Sequence, residues 1–500
     1  LLFWQIGNSI EHVPKDRFSF RVATQFDPID SLIISAIIHQ FGSKIEAKRI
    51  RKEIVHSYRF QPRTDGTLFD DLINWKSFWS YSLEKAKSAK TIVTTDITDY
   101  YNQIYHHTVE NQLELSGIPA QAVRSIMSLL AVPTQGVTRG IPIGPHTMHL
   151  IAEISFDPID KSLISHGYNY CRFVDDIHIF CDDEEQAEIA IFDLARILDK
   201  QGRLVLNRYK TKIMDNDQFI KLSERKIEDD PIDLLERTIL GIIKTHTSGN
   251  PYLTISMRNL SIQELESFNR DVVEPLLNSY LQKEYPDFIR IRWFIRRLAQ
   301  VGVPTAIPFL IDHLRDLTPA LGDIAIYLAS AERTYNGKWD SIGNELINSL
   351  NIPIVDHSDY LKMVIINLFG KMSDLDHIDS LLGMYDKSNS NIKRKIVKAA
   401  AKAGKDYWLR ENREDIPTLD PWLRRAFIFG AYAFSSDEKN YWLNKIKRSD
   451  NLLEGIIASW ILETDPSQLF DFEGPQQESD EDSNEDSDEG EEEDIPEWAY

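Results

Sequence analysis

The spacing of apolar and polar positions changes character at about residue 258 of the chain. From about residue 15 to 258, short runs rich in β-branched residues alternate with longer segments whose apolar residues recur at helical spacing. The most regular helical segment is 184–202, which ends at Gly202. Its predicted apolar face consists of Ile189, Phe192, Ala195 and Leu198. The alternation predicts an α+β region.

After about residue 259, strand patterns disappear and helical stretches follow one another, separated by short breaks of Pro, Gly, Asp or Ser. Pairs of these helices recur at about 35 to 45 residues, which is typical of HEAT-like repeats that bury their apolar faces against their neighbours. The pattern predicts an all-α HEAT-like repeat solenoid over 259–465. Residues 466–500 are acidic and poor in apolar residues, and they predict a disordered tail. This tail either solubilises the chain or mimics a polyanion that shields a basic channel.

The net charge of −22 does not exclude a nucleic-acid partner. Residues 471–500 contain many acids and no Lys or Arg, so the rest of the chain is nearly balanced, and binding follows the local field. The two cysteines are too few for a disulfide framework and favour a reducing compartment, so we expect a cytoplasmic protein. No uncharged apolar run approaches the ~18 residues of a membrane span, so we expect no membrane association. The chain begins without Met, from which we expect a truncation upstream.

Three acids stand at the ends of predicted strands. Asp96 ends a β-branched run that begins at Thr91, and Asp175 and Asp176 lie at the turn between two apolar, alternating runs, which is a hairpin pattern. Like charges at this spacing raise one another's pKa, and divalent cations relieve the repulsion. If Asp96 lies on a strand beside the hairpin, the sequence predicts a site for two Mg²⁺ ions, with Mn²⁺ as an alternative. The competing interpretation is that the acids serve only as turn and helix-cap residues.

Five segments in order carry a resemblance to a known family. These segments are TTDITDYY (94–101), GIPIGP (140–145), FVDD (173–176), LVLNRYKT (204–211) and TILG (238–241). They resemble motifs A to E of the reverse transcriptase palm, which implies a nucleotidyltransferase that joins deoxynucleoside triphosphates to DNA with DNA or RNA as partner. The resemblance assigns the catalytic and metal-binding roles to Asp96, Asp175 and Asp176. It also implies that the backbone carbonyl of Ile97 contacts a metal ion.

The same resemblance implies a nucleotide site. Tyr101 matches the aromatic residue that lies under the incoming ribose and rejects a 2′-hydroxyl, with a plain core aromatic as the alternative. Lys210 matches the motif D lysine that neutralises or protonates pyrophosphate, with a solvated lysine as the alternative. The further implied contacts are Asp99 and Tyr100, beside or beneath the triphosphate, and Gly144, where the backbone approaches the nucleotide. Ile143 stands where the family usually has Gln, which puts ordinary template handling in doubt.

A basic segment, 47–60, precedes the motifs and resembles part of the fingers. Arg59 lies between aromatic residues, and its planar guanidinium suits a triphosphate or template contact. A plain surface helix is the alternative for the other basic residues of the segment, which are Lys48, Arg49, Arg51 and Lys52.

A second basic pattern lies in the helical region. Four lysines share one face of a predicted helix, at Lys395, Lys398, Lys402 and Lys405. On the concave side of a solenoid they would follow a phosphate backbone as a nucleic-acid-binding surface. The alternative is an ordinary solvated helix face.

The usual fingers sequence is hard to find in this chain, the motif B segment reads GIPIGP, and a helical repeat follows the palm. Together these three features resemble the abortive-infection (Abi) and other defence-associated bacterial reverse transcriptases. This resemblance implies DNA synthesis in antiphage defence, in some members without a template and primed from a protein hydroxyl. The expected architecture is a right-hand polymerase of α+β class, with an RRM-like antiparallel palm sheet and helices, followed by the all-α repeat. The expected domains are 1–90 (fingers-like), 91–258 (palm), 259–465 (HEAT-like repeat) and 466–500 (acidic tail).

Two hypotheses of different class follow. In the first, the protein is an RNA-directed DNA polymerase that works by two-metal catalysis. In the second, the palm is vestigial and the chain is a nucleic-acid-binding scaffold or sensor of a defence system. Three intact acids at one point favour the first hypothesis. A monomer and a homo-oligomer remain open alternatives.

Overall fold

The computed structural model describes residues 8–64, 66–227, 234–247, 253–413, 418–448 and 451–464. The predicted acidic tail and the first residues of the chain lie outside these ranges. The chain divides into two compact units. Among the described residues, the first unit comprises 8–11 and 22–234, and the second comprises 12–21 and 235–464. The predicted domain boundaries remain predictions.

The regular elements up to the end of the first unit mix helices with strands. The strands are β1 (Asn8–Pro14), β2 (Phe20–Phe26), β3 (Thr91–Thr95), β4 (Asn169–Phe173), β5 (Asp176–Cys181) and β6 (Lys212–Asp215). The helices are α1 (Pro28–Glu46), α2 (Trp75–Ala86), α3 (Tyr100–Gln103), α4 (His106–Leu115), α5 (Ala120–Ala131), α6 (Met148–Ser155), α7 (Asp157–Ser165), α8 (Glu184–Gly202), α9 (Asn216–Ile227) and α10 (Leu234–Thr247), whose first residue is the last of the first unit. The TILG segment lies within α10.

A four-stranded antiparallel sheet in the order β4-β5-β3-β6 organises the first unit. Side chains alternate between its two faces, as the period of a strand requires. Val93 and Ile179 join the larger core, which includes residues of α6, α7 and α8, whereas Ile92 and Phe180 join a smaller core with α2 and α9. Because helices cover both faces, the central strands are apolar on both sides. This unit therefore has the α+β character that the sequence predicts.

Helix α8 has the bounds that the sequence predicts, but its buried face is different. Asp183 caps its start, because the side chain accepts a hydrogen bond from the backbone of Gln186. Ile189 and Phe192 are 51% and 68% exposed. The residues that face the core are Ala187, Ala190, Leu194, Ile197 and Leu198. The predicted face is right for Leu198 and wrong for Ile189, Phe192 and Ala195, because helical spacing alone does not show that Ala187 and Ala190 line the buried side.

From residue 235 onward, the regular elements among the described residues are all helical. After α10 they are α11 (Ile262–Glu266), α12 (Arg270–Leu281), α13 (Phe288–Val301), α14 (Ile307–Asp312), α15 (Leu321–Ser330), α16 (Trp339–Ser349), α17 (Pro353–His357), α18 (Asp359–Phe369), α19 (Ile378–Leu382), α20 (Ser390–Lys402), α21 (Asp406–Asn412), α22 (Pro421–Gly430), α23 (Ser436–Lys447) and α24 (Leu452–Glu463), with short 3₁₀ turns between some of them.

One row of helices packs in series in the second unit. Helix α13 packs on α15, α15 on α18, α18 on α20, α20 on α22, and α22 on α24. Each helix thus buries its apolar face against the next member of the row, which is how repeat proteins build a continuous core. The HEAT-like character of the repeat remains a prediction. None of the described helices is both long and apolar enough to cross a bilayer.

Candidate active site

The three predicted acids meet at one end of the palm-like sheet. Asp96 directly follows β3, and Asp175 and Asp176 lie at the β4–β5 turn. Strands β3 and β5 are antiparallel neighbours with Thr95 opposite Ile177, so the next position along brings Asp96 beside the turn. One carboxylate oxygen from each of the three acids lies within 4.8 Å of the others. The hairpin and the adjacent strand therefore create one cluster from segments about eighty residues apart.

Burial and mutual repulsion make this cluster electrostatically strained. Burial, together with the nearby charge of Asp96, raises the pKa of Asp175 to about 6. Burial and the charge of Asp175 raise the pKa of Asp176 to about 7. Divalent cations relieve such repulsion, and three carboxylates supply the hard oxygen ligands that Mg²⁺ prefers. The donor set therefore fits a divalent metal ion.

Lys210 contributes the positive charge nearest to the cluster. Its ammonium donates to a carboxylate oxygen of Asp96 and is exposed on its other side. Burial alone would lower the pKa of Lys210, but the hydrogen bond to Asp96 and the charges of the three acids outweigh it and raise that pKa. The sequence predicted a pyrophosphate contact for Lys210. That contact remains a prediction, and here the ammonium is paired with Asp96.

The loop before β6, which includes Leu206 and Asn207, also holds Asp96 in place. Asn207 donates its side-chain amide to Asp96 Oδ1 over 3.2 Å, and its backbone amide donates to the Asp96 carbonyl over 2.7 Å. Ile97 is 1% exposed and pairs with Leu206 in an isolated β-bridge. These contacts hold the backbone on both sides of the Asp96 carboxylate. The role of the Ile97 carbonyl as a metal ligand remains a prediction.

A buried group of charges supports the hairpin turn, and sequence reasoning missed it. Arg172 is 1% exposed and pairs with Asp160 over 2.7 Å and with Glu153 over 2.9 Å. Arg49 pairs with the same Glu153 over 2.7 Å. Burial alone would raise the pKa of Glu153, but the two arginines outweigh it and lower that pKa. The available signal was the presence of Glu153 and Arg172 inside otherwise apolar runs, since such charges are buried only when they are paired.

The buried charge group contacts the β4–β5 turn through hydrogen bonds. Ser57 donates its hydroxyl to Glu153 over 2.7 Å and accepts the backbone amide of Val174 over 3.0 Å. Arg172 donates to the carbonyl of Val174 over 3.0 Å. Val174 has a φ of 54°, a left-handed conformation that a β-branched residue adopts only when its surroundings impose it. The two contacts hold that conformation immediately before Asp175.

Tyr101 lies in an aromatic and histidine group beside the acids. Its hydroxyl is 2.6 Å from Nδ1 of His149, and the ring of His149 stacks on Tyr58 with centroids 3.9 Å apart and planes within 2°. Burial is the main cause that raises the pKa of Tyr101 well above its usual range. Its neighbour Tyr100 packs in the core with its hydroxyl donating to the carbonyl of Ala152 over 2.8 Å. The sequence did not predict that Tyr58 and His149 belong to this group, because they come from distant segments.

Asp99 is exposed and lies at the start of the short helix α3 with a φ of 53°. Its carboxylate accepts a hydrogen bond from the side chain of Asn102 over 2.7 Å. Its contact with a triphosphate remains a prediction.

The GIPIGP segment packs against β2. The backbone amide of Thr24 donates to the carbonyl of Ile143 over 2.7 Å, and a Cβ at Gly144 would lie 1.9 Å from the carbonyl oxygen of Thr24. Gly144 is therefore required by this close approach of two backbones. The nucleotide contact predicted for Gly144 remains a prediction. A turn follows Pro145, and helix α6 begins at Met148.

The basic segment 47–60 differs from the expected exposed surface. Helix α1 ends at Glu46, and the segment consists of turns, so the alternative of a surface helix is wrong. Arg59 is 5% exposed, and its guanidinium donates to Glu46 over 2.8 Å and to the carbonyls of Val55 and Ile50. These internal partners explain why the side chain is buried. A triphosphate or template contact by Arg59 remains a prediction that this arrangement does not favour.

The four predicted lysines of the second unit have unequal surroundings. Lys395 and Lys398 lie half-buried between helices, and Lys395 donates to the side chain of Asn367 over 3.2 Å. Lys405 pairs with Asp379 over 2.8 Å. Lys402 is half-buried near the end of α20. Their role in nucleic-acid binding remains a prediction.

The two cysteines are free thiols and are buried. Cys171 lies 3.1 Å from the hydroxyl of Ser82, and burial raises the pKa of Cys171 to about 12. Burial raises the pKa of Cys181 to about 11.

Comparison with known proteins agrees with this geometry. Residues 13–242 match the family model of reverse transcriptase (RNA-dependent DNA polymerase). The chain therefore contains a reverse transcriptase domain and is a nucleotidyltransferase. No curated protein matches the sequence. Among solved structures, the chain is similar to apo telomerase from Candida tropicalis, with 9% identity and a TM-score of 0.32 over 83% of this chain and 68% of the other.

Proposed function

We propose that the protein extends a DNA 3′ end by two-metal nucleotidyl transfer at Asp96, Asp175 and Asp176. The reverse transcriptase domain supports RNA-directed DNA polymerase activity in general, with nucleic acid and deoxynucleoside triphosphates as substrates. The observation that carries the mechanism is the convergence of three carboxylates, with oxygens within 4.8 Å, at the end of two adjacent strands. A binding protein would have no need for three repelling acids at one buried or half-buried point.

Two Mg²⁺ ions, or Mn²⁺ as an alternative, would be held by Asp96, Asp175 and Asp176. When bound, such ions lower the pKa of the attacking hydroxyl and neutralise charge on the leaving pyrophosphate. The protein's own contribution is to hold the carboxylates in place before the substrate arrives. The rigid β-hairpin, the Asn207 contacts and the buried charges behind the turn perform this task.

Lys210 and Tyr101 have separate roles in the proposal. Lys210 pairs with Asp96, and its side chain is exposed enough to turn toward a pyrophosphate. Tyr101 presents its ring to the ribose, and its hydrogen bond to His149 limits how far the ring can move. A fixed ring at this position rejects a 2′-hydroxyl by steric exclusion.

The finer assignment is a reverse transcriptase of the abortive-infection and defence-associated group, which acts in antiphage defence. Its support is the order of a polymerase domain followed by an all-helical unit with serially packed helices, together with Ile143 in the GIPIGP segment. This assignment includes a HEAT-like solenoid and synthesis that is primed from a protein hydroxyl without a template. Free thiols at Cys171 and Cys181 support a cytoplasmic location. The exposed Ile189 and Phe192 of α8 support a homo-oligomer.

A nucleotide-incorporation assay tests the proposal. Purified protein is incubated with Mg²⁺ and labelled deoxynucleotides, with and without primed RNA, and the products are denatured and treated with nuclease. Label that stays on the protein after denaturation indicates protein priming, whereas incorporation only with primed RNA indicates ordinary reverse transcription. Asp96→Asn should abolish incorporation, and Asp182→Asn at the far end of β5 should leave it unchanged. Equal incorporation by wild type and Asp96→Asn would disprove the proposed site.

A further inference from the structure

A surface of cationic and aromatic side chains runs across successive helices of the second unit. Helices α18, α20, α22 and α24 pack in that order and contribute to it. We call it the cation–aromatic surface, and its members are Lys371, Lys395, Lys398, Phe429 and Trp460.

The cationic part lies at α20. Lys395 reaches toward α18, where its ammonium donates to Asn367, and Lys398 reaches toward α22, where its ammonium lies 5.7 Å from the ring centroid of Phe429. Burial and the cationic neighbours Lys398, Arg394 and Lys371 lower the pKa of Lys395 to about 7. Several positive side chains therefore lie close together at a position where desolvation already disfavours their charged forms. Such a cluster is stabilised by a bound anion.

The aromatic part continues the surface from α22 to α24. The rings of Phe429 and Trp460 are stacked, with centroids 5.9 Å apart and planes inclined by 23°. Both residues are only half-buried, although aromatic residues of this size pack most favourably in a core. The ammonium of Lys398 lies over the ring of the same Phe429, so the cationic part of the surface adjoins the aromatic part.

We propose that the cation–aromatic surface binds single-stranded nucleic acid, with its lysines on phosphates and its aromatic rings against bases. Single-strand binding proteins combine these two elements, because a strand exposes both its charged backbone and the faces of its bases. A double helix hides its base faces and would use only the lysines. An acidic peptide would use the lysines without needing stacked rings.

This proposal deepens the proposed function, since a polymerase handles single-stranded template or product, but its test does not depend on catalysis. The proposed surface also differs in its residues from the four-lysine surface that the sequence predicts. Lys405 is already paired with Asp379 and is not part of the new surface. Lys371, Phe429 and Trp460, which the lysine spacing does not reveal, are included.

Binding is measured with the full-length chain carrying Asp176→Asn, in the absence of nucleotide. Fluorescence anisotropy follows labelled oligo(dT) and oligo(rU) over a range of salt concentrations. The double variant Lys395→Gln/Lys398→Gln should reduce the slope of log affinity against log salt by about 1 to 1.5, because two phosphate contacts are lost. Trp460→Leu should weaken binding about 5- to 100-fold with little change in slope.

Two control variants match these changes. Lys405→Gln removes a charge just beyond the end of the same helix, and Tyr441→Leu removes an exposed aromatic of α23, and neither should change affinity. Ultraviolet cross-linking to oligo(dT) should label peptides from α22 or α24 in the otherwise unaltered chain, which locates the strand even if a variant is unstable. A preference for dT or rU distinguishes product from template.

Unchanged affinity and slope in all variants, together with cross-links confined to the first unit, would overturn the proposal. Equal competition by polyglutamate and by an oligonucleotide of the same charge would also overturn it, because it would indicate an acidic protein partner. If this surface fails but Asp96→Asn still abolishes incorporation, the proposed polymerase function stands on its own.

Discussion

The guanidinium of Arg172 donates to the backbone carbonyl of Val174 over 3.0 Å, one residue before Asp175 of the acid cluster. Arg172 is itself held in the interior by Asp160 and Glu153. A group of buried charges therefore holds the backbone immediately before Asp175. Preorganisation of this kind is what a reaction driven by positioning and charge neutralisation requires.

Arg172→Met should destabilise the protein by about 3 to 5 kcal/mol, because Glu153 and Asp160 would remain buried with an arginine partner removed. Urea unfolding monitored by circular dichroism measures the change. Arg203→Met is the matched control, since Arg203 forms an exposed pair with Asp199 and should change stability by less than about 0.5 kcal/mol. Similar effects of the two substitutions would show that the buried charges contribute little.

Ser57→Ala tests the hydrogen bonds that hold the β4–β5 turn, with a smaller expected loss of stability than Arg172→Met. It removes the acceptor for the Val174 amide and the donor to Glu153, which should lower stability by about 1 to 2 kcal/mol. We expect kcat to fall and the Mg²⁺ concentration for half-maximal activity to rise, while KM for the nucleotide stays constant. Ser125→Ala on the exposed face of α5 controls for the loss of a hydroxyl. A change in KM alone would contradict a role in positioning Asp175.

The stability of the metal-free protein should fall as pH rises, and Asp176 should be one cause. Its folded-state pKa of about 7 lies above the ordinary value of 3.8, so the folded protein holds a proton that the unfolded chain has released. The resulting penalty is absent below about pH 4, grows between pH 4 and 7, and is complete above pH 7.

Asp176→Asn should therefore raise the free energy of unfolding by about 1 to 3 kcal/mol at pH 8 and leave it nearly unchanged at pH 4. Unfolding is measured in the presence of a chelator at both pH values. Asp182→Asn, which changes an exposed acid, should have no such pH dependence. Addition of Mg²⁺ should stabilise wild type more than Asp176→Asn. A variant that is less stable than wild type at pH 8 would contradict the repulsion argument.

The acids of the sheet could be predicted from sequence because their positions follow from local rules. A β-branched run ended by Asp96, and two apolar runs around Asp175 and Asp176, define strand ends whose antiparallel pairing brings carboxylates together. The order of the family motifs along the chain then linked these strand ends to a single site. These strand ends are defined by local sequence alone, without tertiary contacts.

The supporting residues could not be predicted in this way. Ser57 lies over one hundred residues from Val174, and only the tertiary fold reveals their contact. The internal partners of Arg59 could not be predicted either, since its position among aromatic residues does not reveal the contacts with Glu46 and two carbonyls. Ile189 and Phe192 were assigned to the wrong face of α8 because helical spacing alone does not distinguish an alanine-lined buried face from a larger exposed one.

The contact between Tyr101 and His149 leads to a prediction on substrate selection. Tyr101→Ala should relax discrimination against ribonucleotides by about 10- to 100-fold, since the ring that would exclude the 2′-hydroxyl is gone. His149→Phe keeps a flat ring to stack on Tyr58 but removes the partner of the Tyr101 hydroxyl. It should relax discrimination by a smaller factor of about 2 to 10, as expected for one hydrogen bond.

The ratio of kcat/KM for a deoxynucleotide to that for the matching ribonucleotide measures both effects. His166→Phe, at an exposed histidine after α7, is the control and should leave the ratio unchanged. In His149→Phe the deoxynucleotide kcat should remain near wild type, because His149 acts on the sugar through Tyr101. If Tyr101→Ala lost activity on both sugars equally, Tyr101 would be a structural residue and the assignment of sugar selection to it would be wrong.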